Sequence, residues 1–576
     1  MNFLLLFCTL LVIQTGFANS KHTHHKLHDK HPVKFTIAIR QQRVEYLREL
    51  LLEISNPNSI FYQDYYTPDD IQEIVTDSVA NDCVSEWLSD NDISCVNHGD
   101  SFTCSSIVEK VDFLFNTSMH LFTKHDQPNR FYAKSTTGYT VPTEIQDYVR
   151  FIEGLNTTPT EKLAKKIKMH HSAHVRIDPG LFARESAIRL YNITYNATHN
   201  NASGAVIEFQ EGGYILDDFQ YYQQLNGVPA VPHLCETHGL NHGADGETTL
   251  DIDTMGTIAS GLCLGYFEFP VWLYTAFSYL ATRPAIPSVM SVSYGWAVDE
   301  QCQIAGCNNS QEYVYATDTE IVKIGLRCVT IVVASGDAGS PSRSNEICAR
   351  DQGPLMHAEY PGSSPYVLSV GGTAVEFGPE HFSGTTPLCR TYGCLNGTVS
   401  RSINFADVGW TSGGGFDLYS NRSNQSSWQD SFVTEYLESG VQLPAHEEQW
   451  NPAGRGYPDI VANGHNCATY QQGIVWAFDG TSCSCPIVAA MIVLLNDKYN
   501  RQFGFINPLL YQAQKYGVFD SVIGTNTSCT EYVCCGHDFG FSTNHVNQTK
   551  WNPVTGLGQL NFGRLTEYLD SFLDGY

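Results

Sequence analysis

The stretch VTIVVAS, Val329–Ser335, runs directly into GDAG, Gly336–Gly339. Such a short run, rich in β-branched residues and nearly free of polar alternation, has the length and character of a strand buried on both faces. A second run, YVLSVGG, Tyr366–Gly372, has the same character, and helical patterns separate such runs along this part of the chain. Their alternation predicts an α/β fold with a mainly parallel sheet and helices on both faces. Sites in such folds lie at the carboxyl ends of the strands. Asp337, just past the first run, is therefore a candidate site residue, and its glycine-flanked position also suits a plain turn.

The chain has 576 residues, 42% of them hydrophobic, enough for large cores and more than one domain. Its opening, MNFLLLFCTLLVIQTGFANS, has the apolar centre and small-residue end of a secretory signal peptide, expected over residues 1–19. No later segment has the ~18 uninterrupted apolar residues of a membrane span. Eleven Asn-x-Ser/Thr sequons, at Asn116, Asn156, Asn192, Asn196, Asn201, Asn308, Asn396, Asn421, Asn424, Asn526 and Asn547, suit the secretory route. So do the 18 cysteines. With Cys8 lost in the signal the count is odd, leaving at least one thiol unpaired. The close pairs Cys95/Cys104, Cys302/Cys307 and Cys389/Cys394 could clip loops, and Cys529, Cys534 and Cys535 form a cluster. A formal charge of -27 argues against nucleic acid as a partner.

After the signal, KFTIAIRQQRVEYLRELLLEIS, residues 34–55, turns from a strand pattern into an amphipathic helix, and Thr67–Asp70, TPDD, reads as a helix start. These belong to an α+β unit expected over residues 20–160. The His-rich stretch His22–His31 could ligate a metal but reads as a solvated tail. Residues 161–180, EKLAKKIKMHHSAHVRIDPG, turn basic and polar, an exposed linker open to proteolysis.

Three further segments carry chemistry. GTS, Gly480–Ser482, opens onto an apolar run of helical length, so Ser482 stands at a helix start either as a cap or as a nucleophile beside N–H groups able to hold an oxyanion. GETTLD holds Glu247 and Asp251 at i, i+4, on one helical face where they can share a proton. HGLNHGADGE offers His238 and His242 as a histidine base for a subtilisin-like alternative.

Taken together, GETTLD, SVSYGW, VVASGDAG, YPGSSPYVLSVGGT, SGGGF, GRGYPDI, GTS and WNPVTGLG resemble, in order, the motifs of the sedolisin family of serine-carboxyl peptidases, most closely its tripeptidyl peptidase branch. The resemblance runs from about residue 35 to the C-terminus. It implies a subtilisin-like catalytic domain over residues 191–576, preceded by an α+β propeptide and an activation linker at 161–190. It makes Ser482 the nucleophile, Glu247 the general base and later acid, Asp251 its orienting partner and Asp337 the oxyanion-hole acid. Ser293, Tyr294, Gly295, Gly413 and Gly414 are implied as substrate-binding residues. An acid peptidase made as a zymogen follows, its own propeptide acting as inhibitor and peptides or proteins as substrates, in a lysosome or other acidic compartment or secreted. It would release tripeptides from free N-termini. An endopeptidase of the family and an inactive peptide-binding relative are the alternatives.

Some positions depart from the family pattern. Asp479 stands before Gly480 where relatives carry Ser or Gly, and Cys483 and Cys485 replace small residues, read here as packed apolar groups, with thiols that modulate the site as the alternative. The family's structural calcium maps to Asp520, the Ser521 carbonyl and Asn552, where WDPVTG has become WNPVTG and one ligand charge is lost.

Overall fold

The computed structural model describes residues 23–124, 127–158, 165–168, 177, 181–199, 202–343, 356–377, 398–444, 450–526, 540–543 and 549–574. The expected signal peptide, Cys389/Cys394 and the cluster Cys529, Cys534 and Cys535 lie outside them.

The N-terminal unit has β1 (Thr23–Lys26), β2 (Pro32–Ile39), α1 (Val44–Ser55), α2 (Pro68–Val75), α3 (Ser78–Asp90), β3 (Ser94–Asn97), β4 (Ser101–Ile107), α4 (Val108–Leu114), β5 (Met119–Lys124), β6 (Gln127–Ser135) and β7 (Val149–Glu153). Strands β3-β4-β2-β7 form one sheet and β1-β5-β6 another. The start read at TPDD is a capping box: Thr67 Oγ1 accepts the Asp70 N–H, the Asp70 carboxylate accepts the Thr67 N–H, and Pro68 opens the helix. The His-rich stretch is not a free tail, since β1 pairs antiparallel with β5 and Leu27 is buried. Disulfide Cys95–Cys104 joins β3 to β4, and Cys302–Cys307 closes the second expected loop.

In the linker, Lys165–Lys168 forms strand β8. The larger unit then runs through β9 (Ser203–Phe209), β10 (Glu236–His238), α5 (Gly246–Ile258), β11 (Cys263–Phe269), β12 (Val289–Val292), α6 (Ser310–Leu326), β13 (Thr330–Ala334), β14 (Leu368–Phe377), β15 (Thr398–Ser402), β16 (Ile460–Asn463), β17 (Cys467–Gln471), β18 (Ile474–Asp479), α7 (Thr481–Lys498), β19 (Phe519–Asp520), β20 (Gln559–Leu560) and α8 (Phe562–Leu573). Ten strands make one sheet in the order β10-β11-β9-β12-β13-β14-β16-β20-β19, with β15 on β14. All pairings along it are parallel except β14·β15 and β19·β20.

Both faces of this sheet are covered, as expected for central parallel strands. Val206, Val289, Val332 and Val370 join the core of α5 and α7 on one face. Their neighbours Ile207, Met290, Ile331 and Val333 join the core of α6 on the other. Helix α7 is buried from Thr481 to Asp497, as a helix apolar all round must be.

The N-terminal unit docks on the second face. Leu47, Leu51 and Ile54 of α1 share a core with Ile321 and Val322 of α6, and a Cβ on Gly325 would lie 2.9 Å from Leu51. Buried polar groups accompany them. Lys323 is ion-paired with Asp100 and Glu320, and Glu153 accepts from Thr275 N at 2.8 Å and Tyr313 Oη at 2.7 Å.

One sequon falls out of consideration as a glycan site. The Asn526 side chain is fully buried, donating to Gly414 O and Pro553 O and accepting from Phe541 N and Ser340 Oγ.

Candidate active site

The turn from β18 into α7 places Ser482. Gly480, at φ 147°, makes that turn, and a Cβ there would lie 3.1 Å from Asp337 Oδ2. Asp337, past the end of β13, accepts both the Thr481 N–H at 2.7 Å and the Thr481 hydroxyl at 2.8 Å on Oδ1. Its Oδ2 faces Arg343 Nη2 at 3.4 Å. Pro486 has no N–H to give the carbonyl four residues back, which belongs to Ser482. The Ser482 carbonyl instead accepts the Ser293 hydroxyl at 3.4 Å.

Helix α5 supplies the acids. Asp245 caps it by accepting the Thr248 N–H, and Glu247 and Asp251 project from one face one turn apart, both buried. Burial is the main force that pushes Glu247 up to about 8. A hydrogen bond from the Ser482 hydroxyl opposes it, and the charges of Glu208, Asp245 and Asp337 add to the rise. Asp251 is raised well above the carboxylate range, by burial first and then by Glu208 and Glu247, with the Ser293 hydroxyl opposing. The influences on this pair are thus burial, carboxylates and hydroxyls. Two such acids cannot both ionise in so dry a place, so the pair retains a proton.

Sequence reasoning missed Glu208. It lies within β9, and Oε2 accepts from Thr248 Oγ1 at 2.9 Å and from Tyr294 Oη at 3.1 Å. A lone Glu in GAVIEF carries no signal of this. The one available hint is a charged residue in an otherwise apolar strand, which must be buried with partners.

The other anticipated residues take several places. The Ser293 hydroxyl donates to the Ser482 carbonyl and draws the Asp251 carboxyl down against burial. The Tyr294 hydroxyl is directed at Glu208. The glycines allow close packing: a Cβ on Gly295 would lie 2.9 Å from Glu359, on Gly413 2.2 Å from Ser335 O, and on Gly414 2.2 Å from Pro553 O. His238 stacks on Tyr279 with ring centroids 4.2 Å apart, and among the described residues no contact joins His238 or His242 to Ser482.

Cys485 is packed as expected, its thiol bonding to Val332 O at 3.3 Å, and burial pushes it up to about 12. Cys483 is not a packed thiol. It forms a disulfide with Cys467, tying the first turn of α7 to β17, a pairing that spacing does not reveal.

The calcium residues are otherwise engaged. The Asp520 carboxylate is ion-paired with Arg564. Asn552 Oδ1 accepts the N–H groups of Val554 at 3.0 Å and Thr555 at 2.9 Å in its own turn. Arg564 occupies only Oδ1 of Asp520, so Oδ2 and the Ser521 carbonyl are the oxygens left for a calcium ion there. No group of three or more potential metal-ligating side chains occurs among the described residues.

Strand β8 of the linker pairs antiparallel with β18, setting Lys165 opposite Asp479 and Lys168 opposite Trp476. The linker backbone therefore lies along the strand that leads into Ser482. No described helix is long and apolar enough to cross a membrane.

Residues 19–158 match the family described as Pro-kumamolisin, activation domain, and residues 271–508 match the Subtilase family. The chain is 31% identical over 560 residues to physarolisin of Physarum polycephalum, covering 94% of each. It is 29% identical over 570 residues to tripeptidyl-peptidase 1 of Canis lupus familiaris, covering 93% of this chain and 91% of that one. Pseudomonas sedolisin, a serine-carboxyl proteinase solved with pseudo-iodotyrostatin, shares the fold with a TM-score of 0.50 at 20% identity, over 68% of this chain and 98% of that one. The chain belongs to the sedolisin family of serine-carboxyl peptidases: it is an acid peptidase made as a zymogen, with an activation domain that serves as its own inhibitor.

Proposed function

We propose that Ser482, Glu247, Asp251 and Asp337 carry the peptidase reaction. The observation that supports this most directly is the convergence of Glu247 and Asp337 on the Ser482 turn, where Asp337 accepts both Thr481 donors and the Ser482 hydroxyl tempers the rise of Glu247. Asp251 retains the proton of the pair, so Glu247 is free to accept the proton of Ser482 as Oγ attacks the substrate carbonyl. The carbonyl π electrons move to oxygen. Asp337 is held on Oδ1 by two Thr481 donors, so its Oδ2 side, where Arg343 Nη2 also lies at 3.4 Å, is the one that faces the oxyanion with a hydrogen-bond donor. Collapse expels the amine, which takes the proton from Glu247 and leaves an acyl-Ser482. Water then repeats the sequence, its proton passing to Glu247 and back to Ser482. Covalent labelling of the activated enzyme by a peptide aldehyde at acidic pH, lost in Ser482→Ala, is the expected result. Labelling that survives in Ser482→Ala rejects the assignment.

We infer tripeptide release from free N-termini as the specificity, supported by the similarity to tripeptidyl-peptidase 1 along most of both chains, with Ser293, Tyr294, Gly295, Gly413 and Gly414 near the bound substrate. A free peptide should then be cut into tripeptides and its N-acetylated form left intact; internal cleavage of both favours an endopeptidase. Residues 20–160 as propeptide, release within 161–190 and residence in a lysosome or similar acidic compartment belong to the same reading. A structural calcium at Asp520, the Ser521 carbonyl and Asn552 belongs to the same reading, weakened by the Arg564 ion pair and by the charge lost at Asn552; chelation should lower the melting temperature, and an unchanged value rejects the site.

A further inference from the structure

The turn at residues 464–466, between β16 and β17, is fastened to the nucleophile turn by several bonds. Gly480 N donates to Gly464 O at 2.9 Å, and Ser484 Oγ donates to Ala462 O at 3.0 Å. The Cys467–Cys483 disulfide joins the same two segments just beyond Ser482. The contact is so close that a Cβ on Gly464 would lie 2.8 Å from Gly480 O. At its centre are two buried ionisable side chains, Asp479 at 2% exposure and His465 at 3%. His465 Nδ1 donates to Asp479 at 3.0 Å from each oxygen, and Asn466 N donates to Asp479 Oδ1 at 2.8 Å.

Asp479 is the departure noted in the sequence, and its surroundings say what it does. Both oxygens are turned to the 465–466 turn, and among the described residues no hydrogen bond links it to Ser482, Glu247 or Asp337. It immediately precedes Gly480, whose lack of a side chain leaves the turn free to rotate. Rotation there moves Ser482 Oγ relative to Glu247. A buried carboxylate accepting from an imidazole and a backbone N–H is a strong, directional tether for such a hinge.

We propose that Asp479 and His465 form a positioning pair that orients Ser482 toward Glu247 and takes no proton in the reaction. This rests on the reading of Ser482 as nucleophile, so Ser482→Ala is assayed alongside as its separate check. The experiment measures kcat and KM of the activated full-length product for Asp479→Ala, Asp479→Asn, His465→Ala and the double alanine variant across the acid pH range.

A displaced nucleophile predicts that Asp479→Ala lowers kcat about 10- to 100-fold, with KM held within about twofold. Asp479→Asn still accepts from both donors and should recover most of kcat. His465→Ala should resemble Asp479→Ala, and the double variant should be no worse than the poorer single one, because both remove one interaction. The shape of the pH profile should not change.

Asp479→Ala with near wild-type kcat overturns the proposal. So does additivity in the double variant, or an Asp479→Asn variant as impaired as the alanine and shifted in pH profile, which would place the charge in the chemistry. Should Asp479→Ala not fold, Asp479→Asn and His465→Gln decide by the same criteria: recovery in the first and a kcat-only loss in the second support the pair. Activity in Ser482→Ala would refute the underlying reading instead.

Discussion

Two clusters of buried carboxyl groups invite comparison. At the seam between the N-terminal unit and α6, Asp100 and Glu320 enclose Lys323. Burial pushes Asp100 up, but the Lys323 ammonium and the hydrogen bonds of Lys323 and Gln41 outweigh it, and the carboxyl ends below its ordinary value. Burial and the charge of Asp100 take Glu320 up to about 8, against the pull of Lys323. One acid is ionised there and the other holds its proton. In the active site, where the main influences on Glu247 and Asp251 are burial, carboxylates and hydroxyls, both are raised. Burial is common to the two places; the enclosed ammonium distinguishes them. The first cluster lies at the docking seam, and in the reading proposed above the second keeps protons available for chemistry.

The comparison breaks most sharply at Glu247. Glu247→Gln keeps the shape but removes the proton acceptor, and kcat should fall about 10²- to 10⁴-fold with the fold intact, measured on activated enzyme at acidic pH. His242→Ala, assayed in parallel, should be tolerated. Lys323→Met should turn the seam into a cluster of the second kind. In a Ser482→Ala background the zymogen should lose about 3–5 kcal/mol by urea unfolding near pH 7, because the ionised Asp100 loses its buried countercharge. The loss should shrink at pH 4.5, where Asp100, without Lys323, can take up a proton.

Next comes pH itself. Glu247 and Glu320, from 4.5 to about 8, and Asp318, from 3.8 to about 7, have folded values above their ordinary ones. Between these limits the folded chain binds more protons than the unfolded one, so stability falls as pH rises. Their contribution is fully present below the ordinary values and is lost as pH climbs through about 7 to 8. Asp100 runs the other way, its contribution lost only as pH falls below the ordinary range. Ser482→Ala zymogen should therefore melt higher at pH 5 than at pH 8, and the reverse order would refute the assignment. The smallest effect is expected from Asp251→Asn. A side chain that is already neutral is replaced by a neutral isostere, so kcat should fall only about tenfold through the changed hydrogen bonding. A loss as large as that of Glu247→Gln would mean that Asp251 itself exchanges protons.

Much of this was legible because it is local. Buried parallel strands write their character into a few residues, as VTIVVAS and YVLSVGG do; TPDD contains its own capping box; and Glu247 and Asp251 share a helical face by spacing alone. What was hidden depends on chain segments meeting. Glu208 reads as one more strand residue until Thr248 and Tyr294 arrive from other elements. Cys483 reads as a small packed residue until the β17 turn brings Cys467 to it. His465 carries no motif, and a basic linker gives no warning that four of its residues will extend the small sheet beside Ser482. The family resemblance named the acids for the serine, but it could not show that Arg564 already holds Asp520.

The buried Asn526 amide has a consequence for biosynthesis. Its four hydrogen bonds join segments that come from Ser340, Gly414, Phe541 and Pro553, and an oligosaccharide on that nitrogen would keep them from closing. Chains carrying sugar there cannot complete the structure, so the folded population is purified of them by folding itself, and the sequon stays unused in every molecule that folds.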